Sequence, residues 1–382
     1  MKITIVHGWF LPVPPLRGGA AESHWYHLGE QLVRRGHEVA HISRTWPGLP
    51  REDEIGGAQH LRVPGNDLPR SRLGILLRDF AYTVQVLQRL PPADILVINT
   101  ITLPVFARSR RWGAVWVVAG RMPKGQTRFY GHAARIQAPS AAVAEAIARE
   151  RGSREKICVL PYSLPRPTGW TDESQEEKKR ERVVLFVGRI HPEKGVHLLV
   201  EAWKGLAEKT KRNWRLVLVG PWEDSVGGGG EAYYRRLDEE SSGCGFPIEW
   251  KGPVYNPKAL QDLYRTASLF VYPSLAERGE SFGVAPLEAM AQGCPVLLSE
   301  LACFRDYLKE GENGWTFDHR AADSSGKLGE KLQALLRDEA GLAAAGERAS
   351  QTACSFFPEA LAPRYLESFA EVIAEVRSGR RG

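Results

Sequence analysis

Cysteine is scarce in this chain and follows no pattern. Cys158, Cys244, Cys294, Cys303 and Cys354 form no C-x-x-C pair and no His/Cys ligand spacing, and five is an odd number for a secreted disulfide framework. They read as reduced, mostly buried thiols, and a bound metal is not expected. Long apolar runs are also missing, since none approaches the length of a membrane span. The opening stretch MKITIVHGWF lacks the longer apolar segment and small-residue cleavage site of a secretory leader, so a cytoplasmic protein is expected. The G-x-G-x-x-G fingerprint is absent, which weighs against a dehydrogenase. No recognised nucleic-acid motif accompanies the positive charge, and nucleic acid is not among the expected partners. There is no low-complexity tract, and 43% hydrophobic with 25% charged residues is ordinary for a globular protein.

What is present is length and an uneven charge. A chain of 382 residues exceeds what one compact core usually holds, so two domains are expected. Residues 1–165 carry 22 Lys and Arg against 12 Asp and Glu, whereas residues 166–382 carry 29 against 33. The basic half includes Arg34, Arg35, Arg70, Arg72, Arg78, Arg108, Arg110 and Arg111. A solvated surface is the commoner meaning of such charge; the alternative is peripheral contact with an anionic bilayer or a lipid-diphosphate acceptor.

Strand-like and helix-like runs alternate twice along the chain. KITIVHGWF, HEVAHIS, ADILVIN, GAVWVVAG and RIQAP read as strands, with helices at AAESHWYHLGEQLVRR, stopped by Gly36, and at SAAVAEAIARERG, capped by Ser140. A polar, charged stretch over 165–182 reads as a linker. RVVLFVGRI, WRLVLVGPW, FPIEWKGPV, SLFVYPS and CPVLLSE then repeat the pattern with helices between them. The expected fold class is therefore α/β, with two doubly wound, Rossmann-like domains facing each other across a cleft. Residues 1–164 form the first domain and 165–357 the second, with a terminal helix over about 358–382 read as packing back on the first.

Three stretches carry chemistry. In FVGRIHPEKG, Arg189 and Lys194 emerge from the loop after a strand and suit a diphosphate, although a pair of solvated loop cations has the same spacing. In ESFGVAPLEAMAQG, Gly283 precedes a helix whose first amides, at Gly283 and Val284, form an anion site, with Glu280 and Glu288 on either side. Two acids beside a phosphate site make sense if they accept hydrogen bonds from sugar and ribose hydroxyls. Without further context a helix-entry acid and a solvated face are the commoner explanation. In PLRGGAAE, Gly18 and Gly19 let backbone approach a ligand, or simply satisfy a turn.

As an ordered set these residues resemble the retaining glycosyltransferases of family 4, which have the GT-B fold. The elements are VGRIHPEKGVHLLVEAW, LVLVG, WKGPV, LYRTASLFVYPS and the paired glutamates of ESFGVAPLE, continuing as AMAQGCPVL, preceded by GGAAESHWYHLGEQLVRRGHEV. The resemblance implies that Glu280 holds hydroxyls of a donor sugar and Glu288 the ribose. Arg189 and Lys194 would neutralise the diphosphate, helped by the amides of Gly283 and Val284. Ser281 and Phe282 belong to the same donor loop, Gly19 lies near the phosphates, and Val254 borders the base. It further implies transfer with retention from a nucleotide sugar, a UDP-sugar ahead of a GDP-sugar, to a carbohydrate, lipid-linked or small-molecule acceptor, with no metal or other cofactor.

On the acceptor side the chain departs from the family. Ala119, followed by Gly120 and Arg121, stands where a histidine is frequent, Asn99 stands for another, and Tyr162–Ser163 replace a frequent Asn-Gly. Asn99, Arg121 and His132 are the acceptor-side candidates, while His7, His24 and His132, taken as lone histidines, are more often structural. Two alternatives stand beside a transferase: a nucleotide-sugar 2-epimerase of the same fold, and a non-catalytic nucleotide-binding partner subunit.

Overall fold

Apolar runs too short for helices pair here as parallel strands. A computed structural model describes residues 1–69, 71–167, 180–242 and 248–378. Arg70, Cys244 and most of the linker stretch, residues 168–179, lie outside the described residues. The chain divides into two compact units, Met1–Pro165 with Phe356–Gly382, and Arg166–Ser355.

The first unit is built on an eight-stranded sheet of β1 (Lys2–Val6), β2 (Glu38–Arg44), β3 (Glu52–Ile55), β4 (Ala58–Val63), β5 (Ile95–Ile98), β6 (Ala114–Val118), β7 (Arg135–Ala138) and β8 (Ile157–Val159). Its order is β3-β4-β2-β1-β5-β6-β7-β8, parallel except for the β3–β4 hairpin. β5 and β6 are apolar and buried throughout, and β1 is buried from Ile3 onward, as expected of strands covered on both faces. Ser140 caps the helix Ala141–Arg151, its hydroxyl accepting from the Val143 N–H at 3.3 Å.

Two elements in this unit differ from the sequence reading. β1 stops at Val6 rather than running to Phe10, because His7 makes the last ladder bond to Ile42 before the chain turns into its proline loop. The stretch between β2 and β5 holds the β3–β4 hairpin, turned at Gly56–Gly57, and the helix Arg72–Arg89. That helix has its apolar residues at helical spacing, with Arg72, Arg78, Gln85, Gln88 and Arg89 between them, and the sequence reading assigns no element there.

The last helix, Pro358–Arg377, completes the first unit through buried aromatic and polar contacts. Phe369 meets the Trp116 ring edge-on at 4.9 Å. Tyr365 closes a chain of hydrogen bonds: its hydroxyl accepts from Gln137 Nε2 at 2.6 Å, contacts His24 Nε2 at 3.1 Å and donates to the Pro161 carbonyl at 3.1 Å. His24 Nδ1 accepts from the Ser163 N–H at 2.8 Å, which leaves the proton on Nε2, facing Tyr365.

A second buried cluster joins β1, β2 and β4. His7 Nε2 lies 2.9 Å from His41 Nδ1, and His41 stacks on His60 with centroids 4.8 Å apart. Burial holds His7 and His24 down to about 3 and His60 to about 4, with neighbouring positive charge adding to the effect. His41 is lowered as well, again chiefly by burial.

The second unit carries a six-stranded, wholly parallel sheet of β9 (Glu181–Val187), β10 (Arg215–Val219), β11 (Ile248–Gly252), β12 (Ala267–Tyr272), β13 (Val296–Ser299) and β14 (Gly314–Phe317). Its order is β11-β10-β9-β12-β13-β14, so the winding direction reverses between β9 and β12. In the first unit the corresponding reversal lies between β1 and β5.

Tyr365→Phe keeps the ring but orphans the donors of Gln137 and His24, and should cost the first unit about 1–3 kcal/mol, read as a shift of its transition in urea; an unchanged transition would contradict the role given to the hydroxyl. The histidines make a separate prediction. Their folded pKa values lie below the unfolded value, so their stabilisation is present above pH 6.5 and is lost as pH falls toward 4. Each fully buried histidine supplies up to about 1.4 kcal/mol per pH unit in that window. Glu22 and Glu288, whose carboxyls are raised by burial, oppose the four histidines with one proton each. The thermal midpoint should therefore drop from pH 6.5 to 4.5, and a flat or rising profile would count against this.

Candidate functional site

Ligand chemistry in doubly wound sheets gathers at the carboxyl ends of the strands where the order reverses. In the second unit those loops follow β9 and β12. The loop after β9 makes a single 3₁₀ turn, Pro192–Lys194, fixed by the His191 side chain accepting from the Glu193 N–H at 3.1 Å. Gly195 then takes φ 67°, and a Cβ there would stand 1.9 Å from the Pro273 carbonyl oxygen. Only glycine allows this approach of the two loops, and the approach sets Lys194 against Glu280.

Lys194 Nζ donates to Glu280 Oε2 at 2.7 Å, with each side chain only 11% exposed. The same oxygen accepts from the Tyr272 hydroxyl at 3.1 Å and the Ser274 hydroxyl at 3.4 Å. Lys194 also lies 5.2 Å from the centre of the Tyr272 ring. Glu280 is thus a nearly buried carboxylate that keeps its other oxygen for a further partner. Arg189 bonds Glu193 Oε1 at 2.6 Å and the Gly227 carbonyl, which leaves it 41% exposed at the edge of the group.

Ser281 and Phe282 lead into the helix Val284–Ala291, capped by Gly283 at φ 78°. A Cβ on Gly283 would stand 2.5 Å from the Phe304 ring, and the Tyr307 hydroxyl donates to the Gly283 carbonyl at 3.2 Å. The amides of Gly283 and Val284 open this helix and have no earlier carbonyl within it to bond. One turn further on, Glu288 accepts from the Tyr264 hydroxyl at 3.0 Å. Burial pushes its carboxyl up to about 7 although the Tyr264 hydrogen bond pulls it down. Val254 follows β11, just before the helix Pro257–Thr266 that Asn256 caps. Arg189, Lys194, Glu280 and Gly283 therefore all belong to carboxyl-end loops of one sheet, with Glu288 on the helix that follows.

The first unit has its own group at the reversal between β1 and β5. Asn99 follows β5, and its Nδ2 donates to the Val6 carbonyl at 3.0 Å. Gly19 caps the first helix, Ala20–Arg34, and Arg121 follows β6 in the same sense. His132 is elsewhere. It precedes β7, and Ala134, two residues on, donates to Val115 at the amino end of β6, so His132 does not join Asn99 and Arg121. His24 and His7 are held in the buried clusters of the core.

Some residues of the site carried no role in the sequence. Tyr272, Ser274 and Tyr264 sit inside the LYRTASLFVYPS stretch, yet their part as donors to Glu280 and Glu288 depends on packing between elements. Glu193 is a neutraliser of Arg189 hidden among charged loop residues. Glu22 is buried in the first helix, and a Cβ on Gly19 would meet its Oε2 at 2.4 Å. The G-G-A-A-E order was the only available signal.

The family models described as Glycosyltransferase Family 4 and Glycosyl transferases group 1 match residues 17–163 and 170–352. The D-inositol 3-phosphate glycosyltransferase of Rhodococcus opacus is 34% identical over 193 residues, which span 50% of this chain and 41% of that relative. Sucrose-phosphate synthase from Thermosynechococcus elongatus superposes with TM-score 0.75 at 18% identity, covering 98% of this chain and 99% of that one. Anabaena HepE, in complex with UDP and glucose, gives TM-score 0.70 at 17% identity, covering 97% and 100%. At such identities the likeness speaks to fold, and it is the GT-B fold of two parallel-sheet α/β domains. With one family model on each half and the motifs of both in order, the chain belongs to glycosyltransferase family 4.

Proposed function

We propose that this chain transfers a sugar, with retention of configuration, from a nucleoside diphosphate sugar to a hydroxyl acceptor, and that the second unit holds the donor. The observation that carries this is the Lys194–Glu280 pair beside the open amides of the helix Val284–Ala291. A cation, a carboxylate and a helix N-terminus on adjoining loops match the three parts of a nucleotide sugar near its reacting bond. Lys194 and Arg189 take the phosphates, Glu280 accepts from sugar hydroxyls, and Glu288 accepts from the ribose. Val254 borders the base, and Ser281 and Phe282 shape the loop between. A UDP-sugar is favoured over a GDP-sugar, supported by HepE's complex with UDP and glucose. The acceptor is a carbohydrate, a lipid-linked intermediate or a small molecule, with Asn99 and Arg121 of the first unit as its candidate contacts.

In the proposed reaction the bond from the anomeric carbon to the diphosphate oxygen breaks as the acceptor oxygen attacks the same face. The acceptor proton passes to the departing diphosphate oxygen. No protein nucleophile is needed. Lys194, Arg189 and the amides of Gly283 and Val284 stabilise the charge that develops on the diphosphate. The same groups do the work otherwise asked of a metal ion, and none is assigned a role.

Isothermal titration with UDP, and with GDP as comparison, tests the binding roles. Lys194→Ala should raise the Kd at least about tenfold, about 1.4 kcal/mol. Glu280→Ala should leave it within about threefold, because Lys194 is then released toward the phosphates, while transfer falls at least about 100-fold. Equal loss of UDP affinity in both variants would show that the division of roles is wrong. A second test uses pH. With the Glu288 carboxyl near 7, its ionised form is a minority at pH 6, so UDP affinity should weaken roughly tenfold from pH 8 to pH 6. Glu288→Gln should lose that part of the pH dependence, and a variant profile parallel to the parent's would remove Glu288 from the ribose site.

A further inference from the structure

The helix Arg72–Arg89 has two apolar faces. One is buried, with Tyr82, Val86 and Asp79 turned inward. The other, made by Leu73, Leu76, Leu77, Phe80 and Val84, is 41–67% exposed. These positions recur at i, i+3, i+4, i+7 and i+11, which puts them on one stripe of the helix, aimed away from the core. The stripe continues onto the neighbouring turn, where Phe106, 48% exposed, meets the Phe80 ring edge-on at 5.6 Å. A surface helix normally presents polar residues on its outer side, so five large apolar side chains there mark a surface made to be covered.

Charge says by what. The helix's acid, Asp79, is buried and spends its oxygens on Trp9 Nε1, the amides of Ile101 and Thr102, and the Thr102 hydroxyl. Exposed Arg72 begins the helix, and exposed Arg108, Arg110 and Arg111 follow Phe106. The nearby acids Asp67 and Glu52 are already paired, with Arg44 and Arg89. The apolar stripe is thus bordered by arginines, and the half of the sequence that carries it has a surplus of ten positive charges.

We infer that the Leu73–Val84 stripe, with Phe106 and the arginines beside it, seats the first unit on an anionic bilayer, the side chains entering the headgroup boundary while the guanidinium groups meet lipid phosphates. No helix among the described residues is long and apolar enough to span a membrane, so the contact is peripheral. It deepens the proposed activity by favouring the lipid-linked class of acceptor, and its test needs no sugar transfer.

Flotation of the full chain with phosphatidylcholine vesicles, with and without about one-third phosphatidylglycerol, reads the contact directly. The chain should float with the anionic vesicles and far less with the neutral ones. Leu77→Glu with Phe80→Glu should reduce flotation at least about tenfold, and Arg108→Ser with Arg110→Ser and Arg111→Ser should weaken it and remove most of its salt dependence. Because all these side chains are exposed, the thermal midpoint and UDP affinity of both variants should match the parent's. No association with anionic vesicles, or equal association after the Glu substitutions, would overturn the inference. So would a parent that is dimeric by light scattering and monomeric after the Glu substitutions, because the stripe would then be covered by a second copy of the chain. Loss of UDP binding in the parent would instead fault the proposed activity and leave the lipid result standing.

Discussion

Because the strands of the second sheet all run parallel, each connection must cross a face of the sheet, and every loop that follows a strand emerges on one edge. Where the order reverses between β9 and β12, two such loops leave in opposite directions and open a space beside them. Glycine at 195 lets them touch, and Lys194 and Glu280 come together from positions eighty-six residues apart. Neither charge would be tolerable so nearly buried alone, and together they hold each other in place.

Pairing also describes how the site manages its charge. Glu280 answers Lys194, and Glu193 answers Arg189. On the proposed assignment a diphosphate would compete with carboxylates already in position, so part of its binding energy would go to displacing them. Glu280 is relieved in that exchange, because Tyr272 and Ser274 continue to donate to it and its open oxygen can accept a hydroxyl. The local arrangement favours a ligand that brings phosphate and hydroxyl together over phosphate alone.

Much of this was legible in the sequence, for reasons that can be named. Most strands of both sheets are short apolar runs, several of them closed by glycine or proline, and Ser140 capped its helix because a serine before an alanine-rich run has little else to do. The charged members of the proposed donor site stood out because Arg, Lys and Glu carry their chemistry in their identity. Tyr272, Ser274 and Tyr264 did not, since a hydroxyl matters there only once β9, β12 and the helix Val284–Ala291 are packed together. His132 misled because sequence distance from a strand does not reveal which end of the sheet the returning chain has reached. The helix Arg72–Arg89 was not read although its apolar residues recur at helical spacing, because the stretch between β2 and β5 carries no motif that drew a reading there.

The closure of the first unit by Pro358–Arg377 bears on the order in which the chain acquires its structure. Tyr365 and Phe369 supply partners to His24 and Trp116, and they follow the whole of Arg166–Ser355 in the chain. By then all of Arg166–Ser355 has been synthesised, so the inserted unit has its full complement of residues while the first still lacks its final helix. The usual amino-to-carboxyl sequence of domain completion is reversed. Until Pro358–Arg377 has been made, the first unit carries an uncovered aromatic surface around Trp25 and Trp116, the state in which a chaperone has most to bind.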